Sequence, residues 1–382
     1  MFLKLLLAAA VLFIFFVVIF PLTLSLAGAP IVSLQDAFVP ATETQANLWR
    51  SGDNGATWMP IGIPGEKKKE SGRPILDLAF HPRDSAILYA GTRRGLWKSG
   101  DEGKSWQRIN DEKHFLGKKS DVSRVIITPA KPATIHLAIY EKRRGHVLKS
   151  IDDGRTFEEL YFTTTEGVRI SALEVKRGDS PGIFFATSDG GLFESNDRGA
   201  SWRAIRRFDN PVVHIYAESD IYELMVMTQH GEIFGLPHHR MRWEAITPAR
   251  GAMEDTELLA AGMGWTIFSR GAFLTGMPLF ERNSRDRNTF YYGSRSAVYQ
   301  SSDSGRSWHT MDLLLSPYEF PVYALAADPR TDGHLILAAH GNLHKTIDGG
   351  KNWGAATFPS GERITKLFMH PLREKVIFAA VH

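Results

Sequence analysis

An eight-residue phrase that returns at near-regular intervals constrains this chain more than any other feature. It reads SGDNGATW from Ser51, SGDEGKSW from Ser99, SIDDGRTF from Ser150, SNDRGASW from Ser195, SSDSGRSW from Ser301 and TIDGGKNW from Thr346. The copies start 48, 51, 45, 106 and 45 residues apart, so the long gap spans two periods. LPHHRMRW at 236–243 fills that gap, keeping Trp243 in register while losing the Ser, Asp and Gly. Seven units at this period point to a radial repeat architecture.

The flanks repeat as well. LAFHPRDSAILYAGTRRGLWKSGDEGKSW at 78–106 aligns with LAADPRTDGHLILAAHGNLHKTIDGGKNW at 325–353. Each unit reads as an apolar strand, a Pro-containing turn, a second strand, a Gly-containing turn, a third strand entering the phrase and a fourth leaving it. Four short antiparallel strands per unit make a β-propeller blade. In the phrase, Ser and Asp oxygens are suited to accept backbone N–H bonds in a tight hairpin, which assigns Asp53, Asp101, Asp152, Asp197, Asp303 and Asp348 to clips rather than to catalysis or metal binding. The Gly supplies the positive φ of such a turn. Trp58, Trp106, Phe157, Trp202, Trp308 and Trp353 then pack into their blades.

Closure is legible too. Residues 363–382 supply two strands and stop, while residues 46–62 supply two strands with nothing before them. Joined, they complete a seventh blade and remove free sheet edges. The expectation is an all-β, seven-bladed propeller over residues 46–382.

The phrase resembles the Asp-box, or BNR repeat. Over residues 46–382 the chain is similar to the Asp-box propellers of the photosystem II stability/assembly factor family, on the strength of single-propeller size, repeat form and the Arg93–Arg94 and Arg143–Arg144 turns. That resemblance implies a non-catalytic lumenal or periplasmic propeller whose arginine-rich face binds a membrane-protein partner. The N-terminus departs from the family pattern, because it has no lipid-accepting cysteine.

The chain has no cysteine at all, which removes disulfides, thiol nucleophiles and thiolate metal sites. Its N-terminus carries Lys4 and then an apolar run from Leu5 to about Ala27. A run of this length spans a bilayer as a helix, and Lys4 on the short side places the body outside the cytoplasm. Residues 1–28 therefore read as an inner-membrane anchor and 29–45 as a polar tether. A cleaved signal peptide ending at Ser25-Leu26-Ala27 is the competing reading.

Net charge is only +3, so a binding face must come from how charge is distributed. In a propeller the phrase hairpins occupy one face, and the other carries the turns between second and third strands together with the links between blades. On that other face fall Arg93, Arg94, Lys142, Arg143, Arg144, His230, Arg295 and His340, with the links GEKKKES at 65–71, DEKHFLGKKSD at 111–121 and RRF at 206–208. Clustered cations steer and hold an acidic partner. The expected partner is an integral membrane complex or one of its acidic, extended segments, with no nucleic acid, no metal and no cofactor. The competing assignment of these residues is ordinary solvated loop tips.

A glycoside hydrolase, sialidase-like or glucanase-like, is the rival function, since Asp-boxes occur in both. A sialidase resemblance would need an Arg-Ile-Pro segment ahead of the first phrase, and here Arg73-Pro74-Ile75 follows it in the wrong order. Glucanases need two facing carboxylates, whereas the turns named above hold only Glu141, Asp189 and Glu232. The stretch 262–288 lengthens its blade. It reads as a displaced blade strand, with a protruding apolar hairpin as the alternative.

Overall fold

A computed structural model describes residues 47–63, 74–129, 133–176, 182–239, 242–248, 279–283, 285–294, 297–313, 322–339 and 341–381. The anchor and tether expected over residues 1–45, and most of the 262–288 stretch, lie outside these. Among the described residues no helix is long and apolar enough to cross a membrane.

The chain opens with β1 (Leu48–Ser51) and β2 (Met59–Pro60). Blade 1 comprises β3 (Asp77–Phe80), β4 (Leu88–Thr92), β5 (Gly95–Ser99) and β6 (Gln107–Arg108). Blade 2 comprises β7 (Asp121–Thr128), β8 (Thr134–Glu141), β9 (Arg144–Ser150) and β10 (Glu158–Phe162). Blade 3 comprises β11 (Ile170–Val175), β12 (Ile183–Thr187), β13 (Gly191–Ser195) and β14 (Arg203–Arg207). Blade 4 comprises β15 (Val212–Ala217), β16 (Tyr222–Thr228), β17 (Ile233–Pro237) and β18 (Glu244–Ala245). Blade 5 comprises β19 (Leu279–Arg282), β20 (Phe290–Gly293), β21 (Val298–Ser301) and β22 (His309–Thr310), so the 262–288 stretch ends in its blade's first strand. Blade 6 comprises β23 (Val322–Ala327), β24 (Leu335–Ala339), β25 (Asn342–Thr346) and β26 (Gly354–Thr357). The chain ends in β27 (Ile364–Met369) and β28 (Ile377–Val381).

These make seven four-stranded antiparallel sheets. In six of them the strands follow in chain order. The seventh runs β2-β1-β28-β27, with Leu48 opposite Ala380 and Ser51 opposite Ile377, so both chain ends share one blade. The fold is an all-β, seven-bladed propeller.

The strands do not keep a simple in–out alternation. β4, β12, β24 and β28 are buried at every residue, because each blade is covered on both sides by its neighbours. The core therefore lies between blades. One cluster joins Leu48, Ile61, Phe378 and Ala380 of the shared blade to Leu78, Leu88, Ala90 and Trp106 of blade 1.

The six readable phrases form one hydrogen-bonded unit. In the Ser99 copy, Ser99 Oγ accepts the Gly103 N–H at 2.8 Å and donates to Asp101 Oδ1 at 2.8 Å. Asp101 in turn accepts the Ser105 N–H at 2.9 Å and the Ser105 hydroxyl at 2.5 Å. The Thr346 copy does the same with Asn352 replacing Ser or Thr as donor to Asp348, at 3.0 and 2.7 Å. These donors hold the carboxyls of Asp53 and Asp152 down to about 2 despite the opposing effect of desolvation.

Each turn also bends through two successive left-handed residues, the fourth and fifth of the phrase, as at Glu102 (φ 64) and Gly103 (φ 87). A side chain at Gly103 would meet Ile61 Cδ1 at 2.7 Å, and the φ of 87° there is one that glycine adopts without strain. In the Ser99 copy the fourth residue and the Trp reach across to a neighbouring blade. Glu102 pairs with Arg50 at 2.6 Å and with Arg373 at 2.7 Å, and Trp106 Nε1 donates to the Ile61 carbonyl at 3.2 Å. Trp202 and Trp308 make the same kind of bond to Leu160 and Ile246. Trp58 and Trp353 instead donate to the Gly55 and Gly350 carbonyls of their own phrases, so the phrase is a hairpin clip in every readable copy and a staple between blades in some of them.

Candidate functional site

Strand direction sorts the loops. The phrase hairpins join third to fourth strands on one face; the β4–β5, β8–β9, β12–β13 and β16–β17 turns and the links into each first strand open on the other.

Arg93 and Arg94 form the two-residue turn between Thr92 and Gly95, with the Arg94 N–H donating to Thr92 Oγ1 at 3.0 Å. Both side chains are half-buried. The next blade has the matching turn at Lys142 and Arg143, and here both residues hold positive φ, 48° and 65°. A two-residue turn of this hand favours Asn and Gly. Lys and Arg in those positions carry a conformational cost that the turn itself does not require. Arg143 Nε meets Glu166 Oε2 at 3.0 Å with both side chains mostly exposed. Arg144 Nη1 donates to the Thr163 carbonyl at 2.7 Å and to that of Thr164.

His230 sits half-buried in the β16–β17 turn. Arg295 and His340 lie outside the described residues, as does the link at 65–71. Of the expected RRF link, Arg206 and Arg207 instead end β14; Arg207 pairs with Asp189 at 3.3 Å, and Arg206 stacks over Phe208 at 4.4 Å and over Phe234 and Trp243. Part of the positive charge on this face is therefore matched locally, while Lys113, Lys118, Lys119 and Lys142 stand exposed without an ion-pair partner among the described residues.

A second concentration of charge lies on the axis, where the first strands of the blades converge. β7, β15 and β27 each carry a register shift ahead of Arg124, His214 and Lys366. Such a bulge re-aims the following side chain. Arg124 Nη1 lies 3.7 Å from Asp77 Oδ1, and Asp77 Oδ2 accepts the Val125 N–H at 2.8 Å. Arg124 keeps 39% of its side chain accessible although protein surrounds it on every side, as expected of a group lining a central channel. Lys366 donates to the Leu76 carbonyl. Arg282 lies over the Tyr216 ring at 5.1 Å, 3.9 Å from Glu174, and donates to the Ala217 carbonyl at 2.6 Å. The Tyr216 hydroxyl donates to the Phe280 carbonyl at 2.7 Å.

The axial electrostatics follow from burial. Burial lifts the Glu281 carboxyl to about 7 against the pull of Arg124 and Lys366. Burial, reinforced by the same two cations, drops His214 to about 3, so it stays neutral. Burial also lowers Lys366 and lifts the Tyr216 phenol well above its ordinary value. The axis thus holds a carboxyl poised to exchange a proton near neutrality, with fixed cations beside it.

Loop-centred sequence reasoning passed over these residues. The signal was present: Asp77, Arg124, His214 and Lys366 each stand directly before the apolar residue that aligns between units, Leu78, Val125, Ile215 and Leu367. Among the described residues no group of three or more His, Asp or Glu is arranged to hold a metal ion.

No known family profile matches the chain. Among curated proteins, a xyloglucanase from Paenibacillus sp is 23% identical over 285 residues, covering 62% of this chain; the chain spans only 26% of that protein's length. Among solved structures, YCF48 from Cyanidioschyzon merolae superposes with a TM-score of 0.58 at 13% identity, over 83% of this chain and 97% of that one. A structure of YCF48 bound to a D1 peptide gives 0.56 at 13%, over 90% and 100%. The GH74 xyloglucanase from Xanthomonas campestris gives 0.60 at 16%, over 87% of this chain and 52% of that one. At these identities the likeness establishes the propeller fold.

Proposed function

We propose that the chain is a non-catalytic propeller, anchored in the inner membrane by residues 1–28 and held on the periplasmic side. There it serves as an assembly factor or accessory subunit of a membrane protein complex. It grips an acidic or extended segment of that complex with the face carrying Arg93, Arg94, Lys142, Arg143, Arg144, His230, Arg295 and His340. The observation that carries the reading is the Lys142–Arg143 turn: two cations held at positive φ where Asn-Gly would be relaxed, beside an Arg93–Arg94 turn on the adjacent blade. Strain kept at a surface turn marks a side chain retained for what it contacts. The fold shared with YCF48, a protein solved with a D1 peptide bound, supports the same use of a single propeller.

Affinity capture of the full chain from solubilised membranes tests this. A defined integral complex should be recovered with the wild type and lost with Arg93→Glu/Arg143→Glu. Capture of nothing, or equal capture by both, overturns it.

One observation favours a second reading. Glu281, poised near neutrality, shares the axis with Asp77 and Glu174, and two of the similar proteins are xyloglucanases. A glycosidase using these carboxylates would hydrolyse β-glucan or sialoside substrates and lose that turnover in Glu281→Gln.

A further inference from the structure

The link between blades 1 and 2 is built to present, not to bury. Asp111 fixes its start by accepting the N–H groups of Lys113 at 3.0 Å, Phe115 at 2.7 Å and Leu116 at 3.0 Å. Leu116 plugs into the core between these blades. Glu141 of the β8–β9 turn holds the far end, accepting the Gly117 N–H at 3.1 Å and the Ser120 hydroxyl. Between these pins the loop exposes Lys113, Phe115, Lys118 and Lys119, with Phe115 40% accessible. Phe115 is thus pinned outward among lysines that have no ion-pair partner among the described residues.

Topology adds an independent constraint. β1 is the third strand of its blade, so it begins on the same face as this loop, and Asn47 is fixed there by accepting the Ile63 N–H at 2.9 Å through its side chain. The blade it enters adjoins blade 1. Residues 29–46 precede it and reach ~65 Å at most when fully extended.

We infer that the loop exposing Lys113, Phe115, Lys118 and Lys119 docks on an anionic bilayer surface, with Phe115 entering the interface and the lysines meeting lipid phosphates. This rests on the tether reading, because the anchor is what keeps this face near the membrane. Aromatic insertion plus clustered lysines is the chemistry of reversible interfacial binding, and each lysine near an anionic leaflet contributes a comparable increment. The site is separate from the Arg93 and Arg143 turns assigned to the protein partner, so the same face contacts lipid at one sector and protein at another.

The absence of cysteine makes the test clean. The full chain, carrying one introduced cysteine at Glu112→Cys or, as a control on the phrase face, at Ile151→Cys, is labelled with a fluorophore. It is then reconstituted in vesicles of phosphatidylcholine with or without phosphatidylglycerol, both containing a spin-labelled quencher lipid. Quenching is expected at position 112 only with phosphatidylglycerol, and not at 151. Lys118→Glu/Lys119→Glu should lower the docked-to-undocked ratio by at least about thirtyfold, the loss expected for the two lysine charges alone, and Phe115→Ser should lower it with the lysines intact. Quenching at 112 that ignores phosphatidylglycerol or the charge reversal overturns the inference. The lysine variant should still capture the integral complex; if quenching at 112 fails while capture persists, the lipid contact alone has failed, and if the full chain leaves the vesicles altogether, the tether reading falls with it.

Discussion

Asp53 and Asp152, in two of the phrase hairpins, are held down near 2, while Glu281 on the axis is pushed up to about 7. The first two sit at the rim and accept hydrogen bonds from hydroxyl and backbone donors a few residues away. The last is raised by burial, which outweighs the opposing pull of Arg124 and Lys366. A carboxylate that recurs in blade after blade answers to local turn geometry. One that occurs once, where the first strands converge, answers to the environment that all the blades create together. The contrast separates architecture from chemistry more cleanly than residue type does.

The largest expected effect lies on the architectural side. Trp106 is 6% exposed and joins blade 1 to the exit of the shared blade, so Trp106→Ala should cost ~3–5 kcal/mol in denaturant unfolding. An equal loss from the half-buried Trp243→Ala would show that burial of the ring does not set its contribution.

The axis responds with the opposite sign. Glu281 has a raised folded pKa, so its ionisation opposes folding above about 7 and the penalty is relieved as pH falls toward the ordinary carboxylate value near 4.5. Glu281→Gln should therefore stabilise the protein by ~2–3 kcal/mol at pH 8 and by little at pH 5, read as the pH dependence of the melting temperature. His214, lowered to about 3, works against this: the unfolded chain takes up its proton below about 6.5 and the folded one does not, so stability falls with pH through that range. The two offset each other between roughly pH 6.5 and 4.5 in the wild type, and the variant should uncover the His214 slope. At the rim the depressed carboxyls of Asp53 and Asp152 support folding above about 4 and lose that support as pH falls toward 2.

Smaller effects refine the comparison. Ser99→Ala removes the acceptor of the buried Gly103 N–H and should cost ~1–2 kcal/mol. Arg143→Glu breaks only an exposed pair with Glu166 and should change stability by under ~0.5 kcal/mol, which makes it a clean probe of binding.

The blade count and the shared seventh blade were legible in the sequence because the phrase repeats and the two chain ends are complementary halves of one unit. The staple function was not. The fourth residue of the phrase varies among Asn, Glu, Asp, Arg, Ser and Gly, so nothing in the letters shows that it turns left-handed and that Glu102 reaches Arg50 and Arg373. Local neutralisation on the turn face was hidden for a related reason: Glu166 and Asp189 answer Arg143 and Arg207 from turns and links elsewhere in the chain. The axial group stayed invisible because Asp77, Arg124, Glu174, Glu281 and Lys366 come from the first strands of five different blades, and only the ring brings them together.

The central claim is that the phrase face is structural and the opposite face binds. Photo-crosslinking in intact cells tests it directly, with a light-activated residue placed either at Arg143 or at Ile151 of the full chain. The account predicts crosslinks to an integral membrane protein from position 143 and none from 151. Crosslinks from 151 alone, or equally from both, would contradict it.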